Sequence, residues 1–281
     1  MPGKPSPILR RRQLAARLRE LRTQAGLTAD EVAVRMLVSP AKISRIETGV
    51  RGASLRDVRD LCEIYGADQG ERERLAALVR ESKQPSWWQQ YDLPNATYVG
   101  LEAAAVSMLD YESSVIPGLL QTEDYAHAIL EGFLYDASPE LIQQQLEVRM
   151  TRQQLLHGER APQLWTVIDE AALHRVVGGP AVMRAQLESL VESAALANVT
   201  VQVIPFEAGA HPGMDSTFVL LHLEEEVADV VYIEGLVGNL YQESPSDLAR
   251  YRRAFDELRA IALSPKDSIA RVSGIAKVYA G

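Results

Sequence analysis

The sequence predicts a multidomain chain: an all-α head of five short helices, then a mixed α/β body whose small sheet is flanked by helices. Three observations predict it. Apolar residues recur at helical spacing, between helix start and stop signals, up to about residue 80. Short β-branched strand patterns occur only past residue 160. Charge divides at the same place. Residues 1–56 hold twelve Lys/Arg against four Asp/Glu, whereas residues 84–281 hold 12 against 27.

The composition is that of a globular protein, with 281 residues, 47% hydrophobic and 24% charged. The length suggests two domains. No stretch approaches the ~20 apolar residues that a membrane span needs, and the N-terminus has no apolar core of a secretory signal. No membrane partner is expected. Cys62 is the single cysteine, which rules out an internal disulfide and a cysteine zinc cluster and suits a reducing cytoplasm. A basic head on an acidic body is the pattern of a chain that meets a polyanion with one end.

In chain order, residues 1–9 read as a loose, flexible basic arm, continued by Arg10-Arg11-Arg12, and residues 10–83 as the head. Leu14, Leu18 and Leu21 mark a first helix that stops at Gly26. Thr28-Ala29-Asp30-Glu31 is a capping box opening a second, through Val32, Ala33 and Met36. After a three-residue turn, Ser39-Pro40 supplies the cap and first residue of a third helix, which runs through Ile43 and Ile46 and ends near Gly49. A fourth starts at Ser54 with Leu55, Val58, Leu61 and Ile64, and a fifth carries Leu75, Leu78 and Val79.

The second and third helices have the form of a helix-turn-helix unit, in which the second helix lies in the DNA major groove. With Ile43 and Ile46 turned inward, Ser39, Pro40, Ala41, Lys42, Ser44 and Arg45 are left to face DNA. Arg45 can pair bidentately with guanine, and Lys42 can reach guanine or phosphate. Thr28 sits at a helix N-terminus, a natural phosphate seat, and Arg51, just past the third helix, joins the candidate DNA-binding set. The segments Arg22-x-x-x-Gly26-Leu27-Thr28, Val32-Ala33 and Ile43-Ser44-Arg45-Ile46-Glu47-x-Gly49 resemble the Cro/C1-type (XRE-like) helix-turn-helix family over about residues 10–80. That resemblance implies a structural ion pair between Arg22 and Glu47, and double-stranded DNA as the partner. One departure is Ala29, where the family often has a base-reading Gln; specificity then falls chiefly to Arg45 and Lys42, with DNA shape.

Lys83-Gln84-Pro85-Ser86 breaks the helical pattern, so residues 84–97 read as a linker or hinge, with Trp87-Trp88 as its anchor. Residues 98–281 form the regulatory and dimerisation body. Tyr98 to Tyr111 reads as a helix and Val115-Ile116-Pro117-Gly118 as a turn. Thr122 caps a helix through Tyr125 and Ile129, and Ser138-Pro139-Glu140 starts another to Leu156. Residues 164–168, 199–204, 218–221 and 230–233 read as strands, residues 181–197 and 246–263 as helices, and Ser264-Pro265 as the start of a last helix to about Tyr279. Glu224-Glu225-Glu226 reads as an exposed hairpin turn. Strand order is left open. Leu101-Glu102, the stretch from Ile116 to Ala126, Arg149 to Gln153 and Val231-Tyr232-Ile233-Glu234 resemble the C-terminal domain of actinobacterial WhiJ-like and antitoxin-like regulators. The resemblance implies a small partner protein encoded by a neighbouring gene.

Other chemistry finds little footing. Glu170 and His174 share a helix face at metal-ligand spacing, with no third ligand evident. His211-Pro212-Gly213-Met214-Asp215 reads as an ordered turn and Gly178-Gly179-Pro180 as a helix boundary. With no nucleophile elbow or phosphate loop, no enzyme activity, metal or cofactor is expected. The expectation is a cytoplasmic, nucleoid-associated transcriptional regulator, homodimeric on an inverted-repeat operator and modulated through its body by a partner protein or ligand. The competing expectation is a protein-docking head on a small-molecule-sensing or enzymatic body.

Overall fold

The computed structural model describes residues 6–279 apart from positions 92, 94, 225, 226 and 237. The chain forms two compact units, one of Gly3–Ala104 with Glu224–Ala228, the other of Ala105–Leu223 with Asp229–Gly281.

The first unit opens with α1 (Pro7–Gln24), α2 (Ala29–Arg35), α3 (Pro40–Glu47), α4 (Leu55–Tyr65) and α5 (Gln69–Glu81). Local chemistry sets the ends. Thr28 and Ser54 each make a reciprocal capping box with the residue three positions on. Gly26, Gly49 and Gly66 take the left-handed conformation after α1, α3 and α4. The turn between α2 and α3 spans four residues, 36–39, one more than the sequence suggests, and Leu37 adopts φ 54° there while 93% exposed. Leu14, Leu18, Val32, Ile43, Ile46, Leu61 and Leu75 make one continuous core.

Two expectations need correction here. The flexible arm over residues 1–9 is not what residues 6–9 form. Pro7 starts α1 and Leu9 is buried, so an apolar anchor precedes the leucines that mark the helix in the sequence. Arg10 is tied to Glu81 at 2.8 Å rather than loose. Residues 1–5 lie outside the described residues. Nor does the head end at residue 83. Trp87–Gln90 makes a 3-10 turn with Trp88 buried, and α6 (Ala96–Glu102) packs on α1. Ser6 Oγ donates to Gly100 O at 2.7 Å. Gly100 permits this approach, because a Cβ there would sit 2.3 Å from Ile8 Cδ1 and 3.1 Å from the Trp88 ring.

The second unit carries, among the described residues, a six-stranded sheet of order β3-β2-β1-β4-β5-β6. The strands are β1 (Ser107–Glu112), β2 (Gln163–Asp169), β3 (Val199–Ile204), β4 (Phe218–His222), β5 (Val230–Gly235) and β6 (Gly238–Gln242). β1 to β3 run parallel, and β4 turns antiparallel to β1, followed by β5 and β6. The parallel crossovers need helices. α7 (Glu123–Phe133) and α8 (Pro139–Gln153) supply the first, and α9 (Glu170–His174) and α10 (Pro180–Ser193) the second. α11 (Pro245–Ile261) and α12 (Pro265–Val278) end the chain.

The helix read over residues 98–111 is therefore two elements, α6 and the central strand β1. β1 is covered on both faces, which removes the clean alternation a half-exposed strand shows. β6, short and polar, is an edge strand absent from the sequence reading. Glu225 and Glu226 of the supposed hairpin turn lie outside the described residues.

The left-handed Gly49 also seats against α1, with Arg12 and Ala15 close to where a Cβ would stand. Gly49→Ala should cost ~1–2 kcal/mol through the backbone conformation alone, measured as a lowered denaturant midpoint of the head. An unchanged midpoint contradicts that role for Gly49.

Candidate DNA-binding site

The site is built on α3, and three contacts fix α3 in place. Its inner face buries Ile43 and Ile46 in the head core. Glu47 at its last turn meets Arg22 of α1, with Nε to Oε1 at 2.8 Å and Nη2 to Oε2 at 2.9 Å. Arg22 Nη1 donates to Leu27 O at 2.7 Å, so one guanidinium holds the end of α1, the start of the helix-turn-helix unit and the end of α3. The Tyr65 hydroxyl adds a bond to Glu47 Oε1 at 3.4 Å. Burial, then the neighbouring Glu47 carboxylate, pushes the Tyr65 hydroxyl pKa up, which keeps it a donor. The Glu47 side chain is 5% exposed and fully bonded, as a buried charge must be.

The outward face holds Ser39, Pro40, Ala41, Ser44 and Arg45, all exposed. Ser39 caps α3 with its backbone and makes no side-chain cap bond. Arg45 Nε rests on Ala41 O at 3.1 Å, and among the described residues no carboxylate engages its guanidinium. Arg51 is exposed, and its backbone N–H donates to Arg45 O at 2.9 Å, folding the following loop back onto α3.

Two of the sequence candidates are otherwise engaged. Lys42 Nζ bonds Asp57 Oδ1 at 2.6 Å, within the capping box of α4. Burial raises the Asp57 carboxyl pKa, but bonds from Lys42 and Ser54 outweigh it and hold the group below the usual carboxylate range. Thr28 is engaged by Glu31, whose Oε2 takes the Thr28 N–H at 2.8 Å and the hydroxyl at 2.9 Å. The phosphate seat read at Thr28 is filled by the chain's own carboxylate. Ala29, in the position of the missing Gln, is partly buried against the head core.

Sequence reasoning missed the partners. Ser54-x-x-Asp57 is visible as a capping pattern, yet nothing local shows that Asp57 also binds Lys42. Arg35, exposed in the last turn of α2, was passed over as well.

In the body, Glu170 accepts from Arg271 Nη1 at 2.7 Å and from Phe206 N at 3.0 Å, with His174 at 3.4 Å. His211 is nearly enclosed and bonds Asp169 at 3.2 Å, while its Nδ1 accepts the Gly213 N–H. It orders its own loop.

A family described as a helix-turn-helix domain matches residues 13–75, and one described as a domain of unknown function, DUF5753, matches residues 95–274. No curated protein and no solved structure matches the chain.

Breaking the pair by Glu47→Ala strands a guanidinium at 16% exposure. It should cost about 3 kcal/mol of head stability, read by chemical denaturation; a loss under ~0.5 kcal/mol would show the pair idle. The depressed Asp57 pKa stabilises the fold above the ordinary aspartate value of about 3.9. That contribution is lost as pH falls through the lower folded value. Asp57→Asn should therefore flatten the acid limb of head stability against pH. An unaltered limb would contradict the assignment.

Proposed function

The chain belongs to the family of the domain of unknown function DUF5753, carried behind a helix-turn-helix domain, and on that premise we propose that it is a sequence-specific DNA-binding transcriptional regulator of the XRE-like type. The observation that carries this is the state of the arginines. Arg10, Arg17 and Arg22 are consumed by Glu81, Glu71 and Glu47. Arg45 stands on the exposed face of α3 with no acidic partner among the described residues. An exposed guanidinium on a helix seated by its opposite face is the arrangement that reads guanine in the major groove. Ser39 and Ser44 beside it suit phosphate or base contacts, and Arg51 suits phosphate.

In this reading the active form is a homodimer, because two reading helices about one DNA turn apart recognise an inverted repeat. The body receives a partner protein or a ligand, in the antitoxin-like manner. Such an effector releases DNA only by preferring a conformation or oligomer that DNA disfavours. The body does no chemistry in this account. Its acid–base groups are engaged within the fold: His211 bonds Asp169, and Glu170 accepts from Arg271 and the Phe206 N–H. With no described helix long and apolar enough to cross a membrane, a cytoplasmic protein that joins the nucleoid on binding is the matching location.

Selection of duplexes from a random pool by the full-length chain should enrich an inverted repeat, bound less tightly as salt rises. On that repeat Arg45→Ala should cost ~1–3 kcal/mol and relax specificity, whereas Lys42→Ala should cost less because Lys42 is spoken for by Asp57. Equal losses on selected and random DNA contradict base reading by Arg45. A pool with no enriched sequence would instead favour a head that docks protein.

A further inference from the structure

Arg11 stands apart from the other arginines of α1. Arg10 and Arg17 are held by carboxylates of α5, and Arg22 by Glu47. Arg11 is half-buried, and its Nε is enclosed with no hydrogen-bond partner among the described residues. Its two Nη atoms are not enclosed in this way. Burial, then the charge of neighbouring Arg12, lower the Arg11 pKa from the usual arginine value, yet an arginine side chain stays charged. A desolvated cation with another cation beside it opposes folding until an anion meets it.

Its position gives that charge a use. The Arg11 stem rests on the loop between α3 and α4, with Cδ 3.9 Å from where a Cβ on Gly52 would lie. Next to Gly52 is the exposed Arg51, whose backbone N–H bonds Arg45 O on α3. At the start of the same loop, Arg12 and Ala15 of α1 lie by Gly49. The front of α1 thus borders the chain that leaves the end of α3. A helix seated in the major groove is walled by phosphates, and the chain leaving it passes one of those walls.

Resting on the regulator reading, we infer that Arg11 binds a phosphate of the DNA backbone beside the loop that carries Arg51 and Gly52. The Nη edge of the guanidinium takes the phosphate oxygens, a match that its planar fork provides. The contact touches no base edge. It adds affinity and fixes how α3 is seated, and it carries no sequence preference. The phosphate brings the negative charge that the fold itself does not place against Arg11.

Duplex binding by the full-length chain at several salt concentrations tests this, on the selected repeat and on random DNA, with chemical denaturation of each variant. Arg11→Met keeps an aliphatic stem against Gly52 and removes the charge. It should bind both DNAs several-fold more weakly and alike, with a salt slope smaller by about one. Its denaturation midpoint should equal or exceed the native one, because an unmatched, partly buried charge is gone. Arg11→Lys should regain most of the lost affinity, since a phosphate accepts either cation. Arg80→Gln removes a positive charge from the exposed end of α5, outside the helix-turn-helix unit, and should leave the slope unchanged. Native affinity and slope in Arg11→Met, or a lowered midpoint with an unchanged slope, would overturn the inference and leave the regulator reading standing. A loss confined to the selected repeat would overturn it as well, because that is the mark of base reading. A native chain that binds no duplex overturns the regulator reading and this inference with it.

Discussion

Arg22 and Glu47 tie α1 to the last turn of α3, and the rest of the head is arranged around that tie. A planar guanidinium can hold a carboxylate through two N–H groups and still donate a third to a carbonyl. Here it does both, binding Glu47 and Leu27 O. Lysine in the same place could supply the charge but not the fixed geometry. The orientation of α3 then follows from packing on one side and this ion pair at its end, which leaves the opposite face unburdened by any structural task.

The same logic separates basic residues that look alike in the sequence. The excess of Lys/Arg over residues 1–56 suggests one undivided basic surface. The structure sorts it into residues that hold the head together and residues that are exposed. Arg17 bonds Glu71 and Lys42 bonds Asp57, each with its side chain about a quarter exposed or less. Arg45 and Arg51 are left outward. Net charge near the surface still attracts a polyanion. In the proposed regulator, readout of sequence rests on far fewer groups.

How much was legible follows from where the information lies. Five helices of the head are written locally, as capping residues, glycine stops and apolar spacing, so Thr28, Ser39, Ser54 and Gly49 mark real ends. Arg22 and Glu47, 25 residues apart, were reachable only through family resemblance. The Lys42–Asp57 contact left no local trace. In the body the strands rich in β-branched residues were visible. β1 was not, because it is buried on both faces, Met108 on one and Tyr111 on the other, so the single-face pattern of a half-exposed strand is missing. Segment 84–97 misled for a different reason: Pro85 and Ser86 read as a linker, yet Trp88 and Gly100 interlock well past them.

The central claim is that the outward face of α3 is the surface that meets DNA. Cys62 is the single cysteine and is fully buried, so a Ser44→Cys chain offers one accessible thiol on that face. Labelled there with a photoactivated cross-linker and mixed with duplex DNA, it should capture DNA on illumination. Glu73→Cys places the same label on the exposed side of α5, outside the helix-turn-helix unit, and should capture little. Strong capture from position 44 alone is the result this account predicts. Equal capture from both positions, or capture only from position 73, would contradict it.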